Sequence, residues 1–89
     1  MINKIKLGGL YTCTFDRELF YPKTLSTKKT AWTKIGMLKA NSLFIILEAV
    51  ENKKLSKYLE RGGYVDLKIL SPTGQICYLF CYSDEFQAI

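Results

Sequence analysis

Histidine is missing from the chain altogether. That removes the commonest general base, the commonest metal ligand and every Ser-His or Cys-His nucleophile arrangement. Long apolar runs are missing too. The longest strongly apolar stretch, Leu43 to Leu47, is far short of the ~20 residues that cross a bilayer as a helix. The start, Met1-Ile2-Asn3-Lys4-Ile5-Lys6-Leu7, alternates polar and apolar residues instead of forming a secretory leader. A cytoplasmic location is therefore expected. There are three cysteines, an odd number that does not suggest a disulfide framework. Two glycine pairs occur, Gly8-Gly9 and Gly62-Gly63, but neither has the Gly-x-Gly-x-x-Gly or Gly-x-x-x-x-Gly-Lys spacing that cradles phosphates.

With 89 residues the chain has room for one domain with a modest core, spanning 1–89. Its net charge of +5 is unevenly spread. Residues 1–39 hold eight Lys and Arg against Asp16 and Glu18, whereas residues 40–89 hold five against six acids. A basic first half is the electrostatic footprint that nucleic acid requires. Lysine predominates, and only Arg17 and Arg61 offer a guanidinium fork.

Period-two writing dominates the readable segments. Ile5 and Leu7, then Tyr11, Cys13 and Phe15, alternate with polar neighbours around Gly8-Gly9, which predicts a strand with a glycine kink or bulge. From Asp16 to Lys34 no period survives, and the stretch reads as a long basic surface connection. Ile35–Lys39 predicts a short strand, Asn41-Ser42 a turn, and Leu43–Val50 an interior strand apolar on both faces. Asn52 is placed to cap a short helix carrying Leu55, Tyr58 and Leu59, which Gly62-Gly63 would stop.

The run Tyr64–Tyr82, with Ser71-Pro72-Thr73-Gly74 between its halves, predicts a hairpin with two possible registers. A plain four-residue loop sets Leu70 opposite Gln75 and turns Ile76, Tyr78 and Phe80 into the core. A type I turn followed by left-handed Gly74 slips the register by one. Cys77, Leu79 and Cys81 then join Val65, Leu67 and Ile69 inside, and Tyr78, Phe80 and Tyr82 stand outside with Tyr64, Asp66 and Lys68. Proline second and glycine fourth in the turn favour the slipped form.

These elements add up to an all-β or β-rich α+β chain: a small, partly open barrel of about five strands with one short helix. Leu10-Tyr11, a long loop, and Gly74-Gln75-Ile76-Cys77-Tyr78-Leu79 resemble the layout of SH3-like small barrels, including those carried by tailed bacteriophages. The resemblance implies architecture and no ligand, because the long segment is basic where signalling SH3 domains are acidic, and Trp32 precedes the middle strands. It fits a phage or prokaryotic accessory protein, which would place the chain in host cytoplasm if viral.

Cys77 and Cys81 would lie ~13 Å apart along a strand, too far for a disulfide, so the thiols read as core filler. The acid pairs Asp16/Glu18 and Asp84/Glu85 read as solvated strand ends. No enzyme activity, metal or cofactor is expected, and surface recognition remains. Tyr64, Lys68, Tyr78, Phe80 and Tyr82 are the candidates for a host or viral protein partner. Phe20, Tyr21, Lys23, Lys28, Lys29, Trp32, Lys34 and Lys39 interleave aromatics with lysines in the way that tracks a phosphate backbone while bases stack. Against that stands a solvated loop whose aromatics tuck back over the barrel end. A structural virion subunit, visible as a homo-oligomer, is the third possibility.

Overall fold

The computed structural model describes residues 5–24, 30–51 and 63–89. The described residues form one antiparallel sheet of seven strands: β1 (Leu10–Cys13), β2 (Arg17–Thr24), β3 (Thr30–Leu38), β4 (Leu43–Glu51), β5 (Tyr64–Leu70), β6 (Ile76–Tyr82) and β7 (Phe86–Ala88). Their order across the sheet is β3-β2-β6-β5-β4-β1-β7. The fold is all-β, and the expected helix falls within residues 52–62, outside the described residues.

Chain connectivity forces the sheet to curl. β6 and β7 stand four places apart in the strand order, ~19 Å if the sheet were flat at ~4.8 Å per strand. The link from Tyr82 to Phe86 reaches only ~14 Å at full stretch. β1 and β2, also four places apart, are joined by an equally short link from Cys13 to Arg17. The sheet therefore bends until these strand ends meet, giving an open, barrel-like form. Thr14 N–H donates to the Glu85 carbonyl at 3.0 Å and Asn41 N–H to the Cys13 carbonyl at 2.9 Å, tying the crossing points together.

Inside the curl, Val65, Leu67 and Ile69 of β5 and Cys77, Leu79 and Cys81 of β6 are each 3% exposed or less. Tyr11, Cys13, Leu19, Leu38, Phe44, Ile46 and Phe86 complete this core. Burial of each large aliphatic or aromatic side chain stabilises the fold by ~1.5–3 kcal/mol. Two irregularities keep the apolar residues facing inward. Leu47 is extra between Ile46 and Glu48, so Ile46 and Ala49 both point to the core though three apart. Ile35 is extra opposite the Leu19–Phe20 step.

The β5–β6 register pairs Leu70 with Ile76, Lys68 with Tyr78 and Tyr64 with Tyr82. It is the slipped form. Gly74 N–H donates to the Ser71 carbonyl at 2.9 Å, Ser71 N–H donates to the Gln75 carbonyl at 2.9 Å, and Gly74 sits at φ +83°, a type I turn closed by a glycine bulge.

Several expectations are corrected. Asp16–Lys34 is not one long loop, because 17–24 and 30–34 belong to β2 and β3. The strand expected at Ile35–Lys39 begins at Thr30 instead, and with β7 the strands number seven among the described residues instead of about five. β1 starts only at Leu10, because Lys6 to Gly9 form a tight turn with Gly9 N–H on the Lys6 carbonyl and Gly8 at φ +79°. Phe15 lies beyond β1 and is exposed.

Candidate functional site

The slipped register turns a row of aromatics outward. Tyr64 faces Tyr82 with ring centroids 5.2 Å apart, edge to face. Asp66 faces Phe80 and Lys68 faces Tyr78, so all five candidate partner-binding residues, Tyr64, Lys68, Tyr78, Phe80 and Tyr82, share one face of the hairpin. Burial, reinforced by Cys81 and Asp66, pushes the Tyr64 hydroxyl above its ordinary value.

β2 and β3 extend this face. Phe20 pairs with Tyr78 across the β2–β6 seam and lies 5.4 Å from Phe80. Trp32, on β3, meets Tyr78 edge-on at 5.1 Å and Phe80 at 5.0 Å. Four rings from three strands thus form one cluster. Such edge contacts are worth ~0.5–1.5 kcal/mol each beyond area burial, so the cluster is held in a fixed shape. Trp32 stays 45% exposed, neither tucked away nor free. Part of the segment read as a solvated loop therefore packs beside the aromatic row.

The two candidate sets are divided by this arrangement. Phe20 and Trp32 join the hairpin aromatics. Tyr21 points to the opposite side of β2 and is exposed. Lys34 is held by Glu18 at 3.2 Å and Lys39 by Asp16 at 3.8 Å. Lys23 lies in β2 with its side chain outside the described part of the structure, and Lys28 and Lys29 lie outside the described residues. On the outer face Lys68 also has a carboxylate, Glu48, at 3.8 Å. Among the described residues, the charges around the rings nearly balance: Lys34 and Lys68 stand among Glu18, Glu48 and Asp66.

Among the described residues the Phe20–Tyr78 pair alone is in ladder register between β2 and β6, and an open groove lies on either side of it. One, about 480 Å³, is walled by Phe20, Phe80, Tyr64 and Met37, with Arg17 and Glu18 at its rim. The other, about 520 Å³, is walled by Pro22, Ile76 and Tyr78, with Lys68 and Gln75 beside them.

Sequence reasoning missed one further feature of the outer face. Leu10, Ile45, Leu70 and Ile76 stand opposite one another across β1, β4, β5 and β6, an aliphatic row running up to Tyr78. Its signal was the two-sided apolar writing of Leu43–Val50, which leaves Ile45 for the outer face once Phe44 and Ile46 are inside.

Glu85 was expected to be solvated and is 4% exposed. It forms an ion pair with Arg17 and accepts the Tyr82 N–H at 2.9 Å, which offsets the cost of burying a carboxylate. The Arg17 guanidinium also lies 5.4 Å from the Phe15 ring centroid. It is therefore committed to closing the barrel end.

The thiols are poor nucleophiles as placed. Cys13, Cys77 and Cys81 are free and buried, and burial raises all three above the ordinary thiol value, Cys81 to about 12. Thiolate is the reactive form. Among the described residues no group of three or more Cys, Asp or Glu is disposed to hold a metal ion, and no helix is long and apolar enough to cross a membrane. No protein family, curated protein or solved structure matches the chain.

Proposed function

We propose that this protein is a non-catalytic binding module that docks a protein partner through the outer aromatic face of β2, β3, β5 and β6. The supporting observation is the Phe20–Trp32–Tyr78–Phe80 cluster, flanked by two grooves and set among ion-paired, nearly neutral charges. Interface cores favour aromatics in well-packed clusters with few unpaired charges. A phosphate-tracking surface instead needs unneutralised cations along the rings, and Lys34 and Lys68 each have a carboxylate partner. An accessory factor of a phage or prokaryote, built on an SH3-like barrel and working in the cytoplasm, is the setting that this reading fits.

A nucleic-acid-binding barrel is the second reading, favoured by the net charge of +5 and the lysines of the first half. Trp32 is the sole tryptophan and sits in the cluster, so its emission reports directly on both. Titration with single-stranded DNA and RNA at low salt should leave that emission unchanged. Saturable quenching that weakens steeply with added salt would replace the protein-docking reading with the nucleic-acid one. Capture of a defined protein from nuclease-treated lysate, lost in Trp32→Ala and Phe80→Ala, is the positive result expected.

A further inference from the structure

Among the described residues, two strands of the sheet have a single neighbour, β7 and β3. They are protected unequally. β7 is three residues long, and so short an edge offers little to pair with. β3 is nine residues long and contains no proline. Its lysine, which would ordinarily discourage edge pairing, is held by Glu18. The irregularity at Ile35 divides the edge and leaves Thr30–Lys34 as its regular stretch.

Pro22 fixes which way the backbone of that stretch points. It stands opposite Trp32 and has no N–H to give, so this pair is the non-hydrogen-bonded kind. Antiparallel alternation then turns the N–H and C=O groups of Thr30, Trp32 and Lys34 away from β2, toward the open edge. Water can satisfy such a row at an open edge, but an extended backbone can pair with all of it at once.

We propose that Thr30–Lys34 pairs antiparallel with the same stretch of a second copy, about a two-fold axis at Trp32. That register sets Trp32 against Trp32, Ala31 against Thr33 and Thr30 against Lys34. No like charges meet, and two exposed indoles cover each other. Centring on Lys34 would oppose two lysines and run into the irregularity at Ile35, centring on Thr30 would lose most of the ladder, and centring on Ala31 or Thr33 would set the two indoles diagonally instead of opposite each other. The pairing does not depend on the docking reading. Its short ladder belongs to the small class of interfaces under ~1,200 Å², so the association is weak and reversible.

Sedimentation equilibrium from ~10 µM to ~1 mM, with Trp32 emission followed over the same range, tests the proposal in the weak-interface regime. A monomer–dimer equilibrium with a blue shift that tracks dimer mass is expected. Thr30→Pro is tolerated at the first residue of a strand and removes the N–H that would reach the second copy's Lys34, so it should abolish the dimer without changing the monomer's melting. The double variant A31E/T33K places opposite charges across the axis and should tighten the dimer about 2- to 30-fold, whereas A31K/T33K should loosen it by a similar factor. A strict monomer throughout, a dimer that survives Thr30→Pro, or charge variants that fail to shift in opposite directions would each overturn the proposal. If Thr30→Pro does not fold, the charge variants decide.

Discussion

The Cys81 thiol lies in the core, and raising the pH probes whether it does so in solution. Its native pKa is pushed up to about 12 from an ordinary 9.0, chiefly by burial, with Arg17 lowering it and Cys13 and Asp84 raising it by smaller amounts. Between those two values the unfolded thiol ionises while the native one stays neutral. The unfolded chain then binds fewer protons, so stability falls as pH rises; below pH 9 this contribution is fully present. At ~1.4 kcal/mol per unit, the gap from 9.0 to about 12 caps the loss at ~4 kcal/mol, of which about 3 has gone by pH 11. Total stability for a domain of this size is only ~4–13 kcal/mol, so the effect is large. Urea unfolding at pH 8 and pH 11, on the native chain and on Cys81→Ala, measures it. Cys13, Cys77 and every other ionisable group are common to both chains, so the difference between the two pH dependences belongs to Cys81. Equal losses in both chains would refute the burial argument.

Four further outcomes follow from the geometry. Gly74→Ala meets no atom within 4 Å but is held at φ +83°, so it should cost ~1–2 kcal/mol in thermal melts from backbone strain alone. Leu67→Ala, at a position with no exposure, should cost ~2–5 kcal/mol in urea unfolding. Glu85→Gln should cost ~2–3 kcal/mol, less than a fully buried pair, because the Arg17 side chain is 27% exposed. Trp32→Ala, removing a ring that is nearly half exposed but makes two edge contacts, should cost ~1–3 kcal/mol while abolishing capture of the partner proposed above.

The β5–β6 hairpin was legible because two independent signals agreed. Strict alternation fixed two possible inner sets, and Pro72 with Gly74 named the turn that chooses between them. The same logic assigns Cys77 and Cys81 to the core, and the usual burial of free cysteine adds Cys13. β2 and β3 were illegible for the opposite reason. Among the described side chains of β2 only Leu19 belongs to the buried core, Tyr21 is exposed, and Phe20 carries its apolar surface on the outer side. With apolar groups on both faces, Pro22 in the run and Ile35 as an extra residue, no period of two survives. Glu85 was misread because its partner, Arg17, is distant in sequence and meets it only when the curl brings the strand ends together.

That failure bears directly on the site. Half of the aromatic cluster comes from the segment whose strands the sequence concealed, and those residues were assigned to a different surface with a different ligand. Once β2 pairs with β6 at Phe20 and Tyr78, the two sets of aromatics merge into one face, and Lys34 and Lys39 turn to carboxylates on the neighbouring strand and loop. Of the lysines that suggested nucleic acid, Lys34 beside the rings is offset by Glu18, and of the rings that suggested base stacking, Trp32 is held edge-to-face and Phe20 tilted against the aromatics of β6. A surface of packed, partly exposed aromatics whose described lysines, Lys34 and Lys68, each have a carboxylate partner suits a protein partner better than a phosphate backbone.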